Sequence, residues 1–258
     1  MAASDSHLIG QLIGNWLEDH VSQPIISNCI SNSQFSGLGV WYLDQEGPRQ
    51  ARDSEKVRWN DDGGNGHNLD YVIEFQGNED NIGDPAAFIE SAWRSYKKHS
   101  KAKAQEIEGA VMPVSVSSSV SVHAPFLGAI IAGRWTRPSI TQLQSNGFEV
   151  LEFNHTEIVS AFNSVGINVD FNEHTPLEEL KIIREDLSNV GDTEKASSGE
   201  ELIRICSDKV SHFSTSLIES LTRSFSSLEV SGGPVHLWEF IGGDLPLNFE
   251  ETFAGDSG

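Results

Sequence analysis

Two acids and a run of bases form the set of side chains best suited to chemistry. Glu90 lies inside the apolar stretch AFIESAW, residues 87–93, and the chain then places Arg94, Lys97, Lys98, Lys101 and Lys103 with no acid among them. Five of the 17 Lys and Arg residues thus fall within residues 94–103 of a chain that carries 38 Asp and Glu. A second acid, Asp70, lies near the start of LDYVIEFQG, residues 69–77. Two carboxylates on neighbouring strands can share a hard cation. Mg²⁺ takes oxygen ligands, keeps several waters, and is commonly held by one or two carboxylates plus a substrate phosphate. Such a site would offset charge developing on phosphorus and help deprotonate a water. A nearby Lys or Arg would orient that water.

The elements that must position these groups follow from periodicity. Residues 69–77 alternate, with Asp70, Val72 and Glu74 on one face and Leu69, Tyr71, Ile73 and Phe75 on the other, the period of a strand with one apolar side. NEDNIGDP reads as a hairpin connection, and residues 86–93 as the next strand, so the two strands should pair and turn Asp70 and Glu90 to one side. Residues 95–110 are good helix formers. Upstream, Leu8, Leu12, Trp16 (or Ile13), Leu17 and Val21 predict a helix over 7–30 that Pro24 should kink or end. A strand follows over 36–44, and residues 45–68 are polar and end in DDGGNGHN, a turn or flexible loop.

Downstream, residues 111–125 are Ser/Val-rich and fit either an exposed strand or a loop. A buried strand is expected over 126–135, a short helix ending at Gly147, a strand over 148–153 and a helix ending at Gly166. Thr175, Pro176 and Glu178 form a helix-start signal with a capping box. GDTEKASSG, residues 191–199, reads as a linker, and apolar residues from Cys206 to Leu228 recur as a long amphipathic helix. VHLWEF, residues 235–240, reads as a small strand before an acidic tail. An antiparallel meander followed by crossover units implies an α/β fold, a mixed sheet with helices on both faces. The expected division is a core over 1–170 and a mainly helical C-terminal extension over 171–258 with a short terminal strand.

At this point the residues resemble a family. The order helix, three strands, helix, strand is similar to the PD-(D/E)xK nuclease superfamily, which includes most type II restriction endonucleases. There an acid opens the second strand and an acid-x-Lys lies on the third. LDYVIE matches the first part through Asp70, with Leu69 in place of the proline, and FIESAWR matches the second through Glu90. The resemblance covers roughly residues 7–170. It implies a restriction-endonuclease-like fold and Mg²⁺-dependent hydrolysis of phosphodiester bonds in double-stranded DNA, with Asp70 and Glu90 holding the metal. One position departs from the pattern: Ala92 stands where the motif lysine would be. Superfamily members can move this cation elsewhere. Arg94, two positions further on the same strand face, or Lys101 on the next helix would stand in for it. If none does, the chain is a catalytically inactive member that binds nucleic acid or serves as a scaffold.

Lys97, Lys98, Lys103 and Gln105 are the expected nucleic-acid contacts, with the solvated helix face as the plain alternative. Arg134 and Arg137 either extend them or belong to a surface loop. Glu74 is either a third ligand or a solvated strand residue. Glu18 resembles by position the helical acid that assists some members, and its plain alternative is an exposed helix residue. The nine histidines form no HExxH pattern, and no GxSxG or P-loop signature occurs. A net charge of −21 confines any nucleic-acid contact to a local patch. The N-terminal residues lack the pattern of a signal peptide, no run approaches the ~20 apolar residues of a membrane span, and Cys29 and Cys206 form no disulfide framework, so a cytoplasmic setting is expected. Nucleases that cut both strands of a twofold site are often twofold dimers, which makes a homodimer the expected assembly if one forms.

Overall fold

The computed structural model describes residues 4–31, 40–118, 120 and 124–226. Its centre is a mixed five-stranded sheet. The strands are β1 (Trp41–Gln45), β4 (Tyr71–Phe75), β5 (Asp84–Arg94), β6 (Phe126–Gly133) and β7 (Glu149–Asn154), and they lie across the sheet in that order. β4 pairs antiparallel with β1 and with β5, whereas β5–β6 and β6–β7 are parallel. A separate hairpin, β2 (Val57–Asn60) and β3 (Gly66–Leu69), stands beside it. The stretch DDGGNG is thus the turn of a hairpin: Asp61 accepts from the Asn65 amide, and Gly64 supplies a φ of +80°.

Eight α-helices among the described residues cover the two faces. α1 (Asp5–Leu17) and α2 (Gln23–Ser31) share one face with α5 (His155–Asn163), α6 (Leu177–Asn189), α7 (Asp192–Ile205) and α8 (Ser207–Ser226). α3 (Ser100–Ser115) and α4 (Arg137–Ser145) lie on the other face, with the β2–β3 hairpin. The apolar positions divide accordingly. Ile9, Ile13, Ile73, Ile89, Ile130 and Phe153 belong to one cluster, and Val72, Phe88, Ala92, Ala104, Ile107 and Ile131 to the other. Both faces of β4 and β5 are therefore covered, and every residue of β4 is buried.

Several expectations change in physically instructive ways. Pro24 neither ends nor sharply breaks the first helix. A five-residue π-helical turn, Glu18–Ser22, precedes α2. Proline lacks an N–H and its ring crowds the carbonyl four residues earlier, that of His20, and a wider turn relieves both. Residues 111–115, open between strand and loop, continue α3 through Pro113 to Ser115. The supposed linker 191–199 is most of α7. Its small residues serve close packing: Ser198 and Gly199 are buried, and Trp16 donates its indole N–H to Ser198 Oγ and the Lys195 carbonyl, both at 3.0 Å. The helix start at Thr175 shifts by one residue. Pro176 occupies the cap, and the Thr175 hydroxyl accepts from the Asn172 amide instead of forming a capping box.

α6, α7 and α8 place Leu180, Leu202, Phe213 and Leu217 in the same cluster as α1 and the sheet, so the C-terminal extension shares the core of the first 170 residues. The strand expected over 235–240, the tail and residues 36–39 lie outside the described residues. Among those described, no helix is long and apolar enough to cross a membrane.

Candidate active site

The chain changes direction at Asp70. Leu69 ends β3 and packs into the α3-side cluster, while Tyr71 opens β4 and packs into the α1-side cluster. In one continuous strand these two side chains would share a face. The bend at Asp70 separates them and frees its backbone from the regular ladder. β4 and β5 pair with Tyr71 opposite Ile89, which sets Asp70 opposite Glu90. The Asp70 amide donates to Glu90 Oε1 at 3.2 Å, and the Ser91 amide donates to Asp70 Oδ2 at 2.8 Å. The two acids expected to converge do so, at the point where β4 leaves off and β5 continues beside β6 alone.

Their electrostatics are those of a carboxylate pair withdrawn from water. Glu90 is 6% exposed. Burial, and then the charge of Asp70, push its carboxyl well above the usual range. Burial also raises Asp70, opposed by the Ser91 amide and by Lys103. The two side chains are within hydrogen-bonding contact, so the pair as a unit holds its protons above the ordinary carboxylate range.

Glu18 joins them from the first residue of the π-helical turn. Tyr71 donates its hydroxyl to the Glu18 carbonyl at 2.8 Å, tying the turn to the sheet. The Glu18 carboxyl, with Asp70, Asp19 and Glu46, lines a cleft of about 270 Å³. Burial first, then the charges of Asp70, Asp19 and Glu46, raise it to about 7. The plain alternative of an exposed helix residue does not describe it. Asp19 and Glu46 were not singled out from the sequence; adjacency to Glu18 was a signal for the first, and nothing local marks the second, which arrives at the end of β1.

The bases divide. Lys103, on the α3 face toward the sheet, exerts its charge on Glu18, Asp70 and Glu90 alike. Its ammonium also donates to Glu106 Oε1 at 2.7 Å. Arg94 reaches the same Glu106 at 3.7 Å, with burial lowering its guanidinium. Lys97 and Lys98 lie exposed on the short 3₁₀ turn before α3, Lys98 over the Tyr96 ring at 5.8 Å. Lys101 and Gln105 are exposed on α3. Arg134 bonds the Ser95 carbonyl and meets Asp170 at 3.5 Å, and Arg137 is largely exposed beside Glu152. Ala92, at the motif-lysine position, is a buried core residue beneath α3, in one cluster with Ala104.

Glu74 is neither a metal ligand nor solvated. It is fully buried and receives two bonds from Arg49, at 2.8 and 2.9 Å, and one from the Gly83 amide at 2.7 Å. Arg49 also meets Asp44 at 3.0 Å. This is a structural ion-pair knot across β1 and β4.

Among the described residues, no group of three or more His, Cys, Asp or Glu side chains is gathered as a ready-made metal cage. The donor set is a carboxylate pair, the kind that suits a hard cation completed by water and phosphate oxygens. A cation there would offset the burial and mutual repulsion that raise both carboxyls, and oxygen donors of this kind fit Mg²⁺. No family model, curated protein or solved structure matches the chain.

Proposed function

We propose that this chain is a Mg²⁺-dependent endonuclease of the PD-(D/E)xK type that hydrolyses phosphodiester bonds in double-stranded DNA. The observation that carries the reading is the convergence of Asp70 and Glu90 across β4 and β5, with the charge of Lys103 directed at both. The strand order supports it, since β1, β4, β5, α3 and β6 follow the succession that the resemblance implies.

Asp70 and Glu90 would hold the metal, which when bound supplies Lewis-acid stabilisation of the phosphate charge and acidifies a coordinated water. Lys103 takes the role of the missing motif lysine. Its ammonium orients the attacking water and offsets charge on the phosphate oxygens. Lys103 is preferred to Arg94 and Lys101, the stand-ins expected from the sequence, because its charge acts on both acids, while Lys101 is exposed. Glu18, held at about 7, exchanges a proton within the working pH range, the requirement for a group that accepts the proton of the attacking water. The water oxygen bonds to phosphorus, the bond to the leaving oxygen breaks, and that oxygen is protonated from solvent.

Supercoiled plasmid tests the reading. Nicking with Mg²⁺ should occur with the wild-type chain and disappear in Asp70→Ala and Glu90→Ala, with both variants folded by circular dichroism. Nicking that survives both substitutions rejects the assignment. A second reading, a catalytically silent binder with the same fold, is favoured by one observation: the motif-lysine position is filled by a core alanine. It predicts duplex binding with no nicking under any divalent cation.

A further inference from the structure

Two clefts of opposite character lie along α1. The cleft at its C-terminal end, beside the carboxylate pair, has Glu18, Asp19, Glu46 and Asp70 among its walls. The groove at its N-terminal end, of about 380 Å³, is lined by Ser6, His7, Trp93, Arg94, Ser95 and His99 together with Gly10, Gln11 and Tyr96. None of these nine is acidic, in a chain with 38 acids and 17 Lys and Arg. Lys97 and Lys98 stand exposed at its rim on the turn that carries His99. The single acid in the first turn of α1, Asp5, is occupied by Arg184 at 2.6 Å.

At Gly10 α1 passes the end of β5, where an added Cβ would make ordinary contact with Ser95 Oγ at 3.6 Å. Trp93 forms the floor, its indole N–H fixed on Ser95 Oγ at 3.0 Å. β5 connects the two clefts: Arg94 follows Glu90 by four positions, or about 13 Å of strand.

We infer that this acid-free groove binds the sugar–phosphate backbone of the DNA strand a few nucleotides from the phosphate held at Asp70 and Glu90. The inference rests on the nuclease reading for its occupant and on charge for its location. A chain of net charge −21 repels a polyanion over most of its surface. Attraction must come from a patch where cations gather and acids are missing, and this patch adjoins the candidate catalytic cleft. His7, His99 and the serine hydroxyls supply donors to phosphate oxygens, and Lys97 and Lys98 at the rim add charge, with Arg94 shared with Glu106.

The test is fluorescence anisotropy of a short fluorescein-labelled DNA duplex, titrated with the full chain in Ca²⁺ over a range of salt. His7→Glu with His99→Glu, and separately Lys97→Glu with Lys98→Glu, insert acids at exposed positions. Each pair should weaken binding by about tenfold or more and flatten the salt dependence by about 1 in log–log slope for each phosphate that is no longer neutralised. His174→Glu, at a residue exposed elsewhere on the surface, should bind as wild type. The inference is overturned if both double variants bind like wild type, if His174→Glu weakens binding equally, or if the wild-type chain does not bind the duplex. Groove-dependent binding without plasmid nicking would remove the nuclease reading and leave the groove assignment standing. Nicking by the wild type with both double variants indifferent would do the reverse.

Discussion

The Asp70 backbone amide donates to the Glu90 carboxylate while the Asp70 carboxylate accepts from the amide after Glu90. This reciprocal clasp fixes both acids at the edge of the β4–β5 ladder, and it places two carboxyl groups together in a site largely removed from water. A protein that needed these residues only for stability would do better with neutral ones.

Asp70→Asn and Glu90→Gln keep the shape and remove the charge. Each should reduce nicking by at least ~10²-fold, the scale of losing a group that stabilises the transition state. Each should also raise the melting temperature of the cation-free protein, by about 2–4 °C for every kcal/mol of relieved repulsion. A lower melting temperature for both would mean that the pair is a stabilising structural feature.

Without divalent cation, stability should fall as pH rises from about 5 to about 7. Glu18 has a folded value of about 7 against a reference of 4.5, so the unfolded chain gives up its proton first. The folded state is then favoured below 4.5, and the advantage is lost as pH climbs through 7. Asp70 and Glu90 shift in the same direction. Urea midpoints across this range check the slope, and Glu18→Gln should flatten it. Mn²⁺ must displace the same protons, so its affinity, followed by calorimetry, should rise with pH. A pH-independent affinity would count against carboxylate ligation.

Lys103→Ala should cost ~10²-fold or more in nicking, on the scale of a transition-state donor. Lys101→Ala should leave the rate within a fewfold of wild type. Ala92→Lys in the Lys103→Ala background would return a cation to the strand and should recover part of the lost activity. Equal losses from Lys101→Ala and Lys103→Ala would put the cation elsewhere.

Arg49→Met should destabilise the fold by about 3–5 kcal/mol, because it leaves the buried Glu74 with no opposite charge and Asp44 with Arg52 alone. Urea denaturation measures the loss. A Glu74→Gln change in the same background should recover part of it, which a ligand role for Glu74 would not predict.

Gly199→Ala tests why α7 sits where it does. An added Cβ would collide with the carbonyl of His20, in the π-helical turn that begins at Glu18. The expected cost is about 1–3 kcal/mol, the range for overpacking. Displacement of the turn should also weaken Mn²⁺ binding. Unchanged unfolding midpoints would show that the packing between α7 and the turn is slack.

The sequence by itself determined the sheet-and-helix alternation, the Glu90 strand and its hairpin pairing with the strand after Asp70, but not the bend at Asp70 or the burial of both faces of β4. The features it determined are local properties: strand period, turn chemistry and helix propensity act over a few residues. It also marked Asp70, Glu90 and Glu18 as carboxylates worth following. Only the tertiary structure decided which base faces them. Lys103 and Lys101 stand two apart on one helix, and the packing of Ala104 and Ile107 against the sheet turns the first toward the acids and leaves the second in solvent. The same holds for Glu74, whose partner Arg49 comes from a polar stretch with no periodic signal, and for residues 191–199, whose glycines and serines resemble a linker until His20 is seen against Gly199. Burial and charge pairing depend on which distant segments meet, and no window of neighbouring residues carries that information.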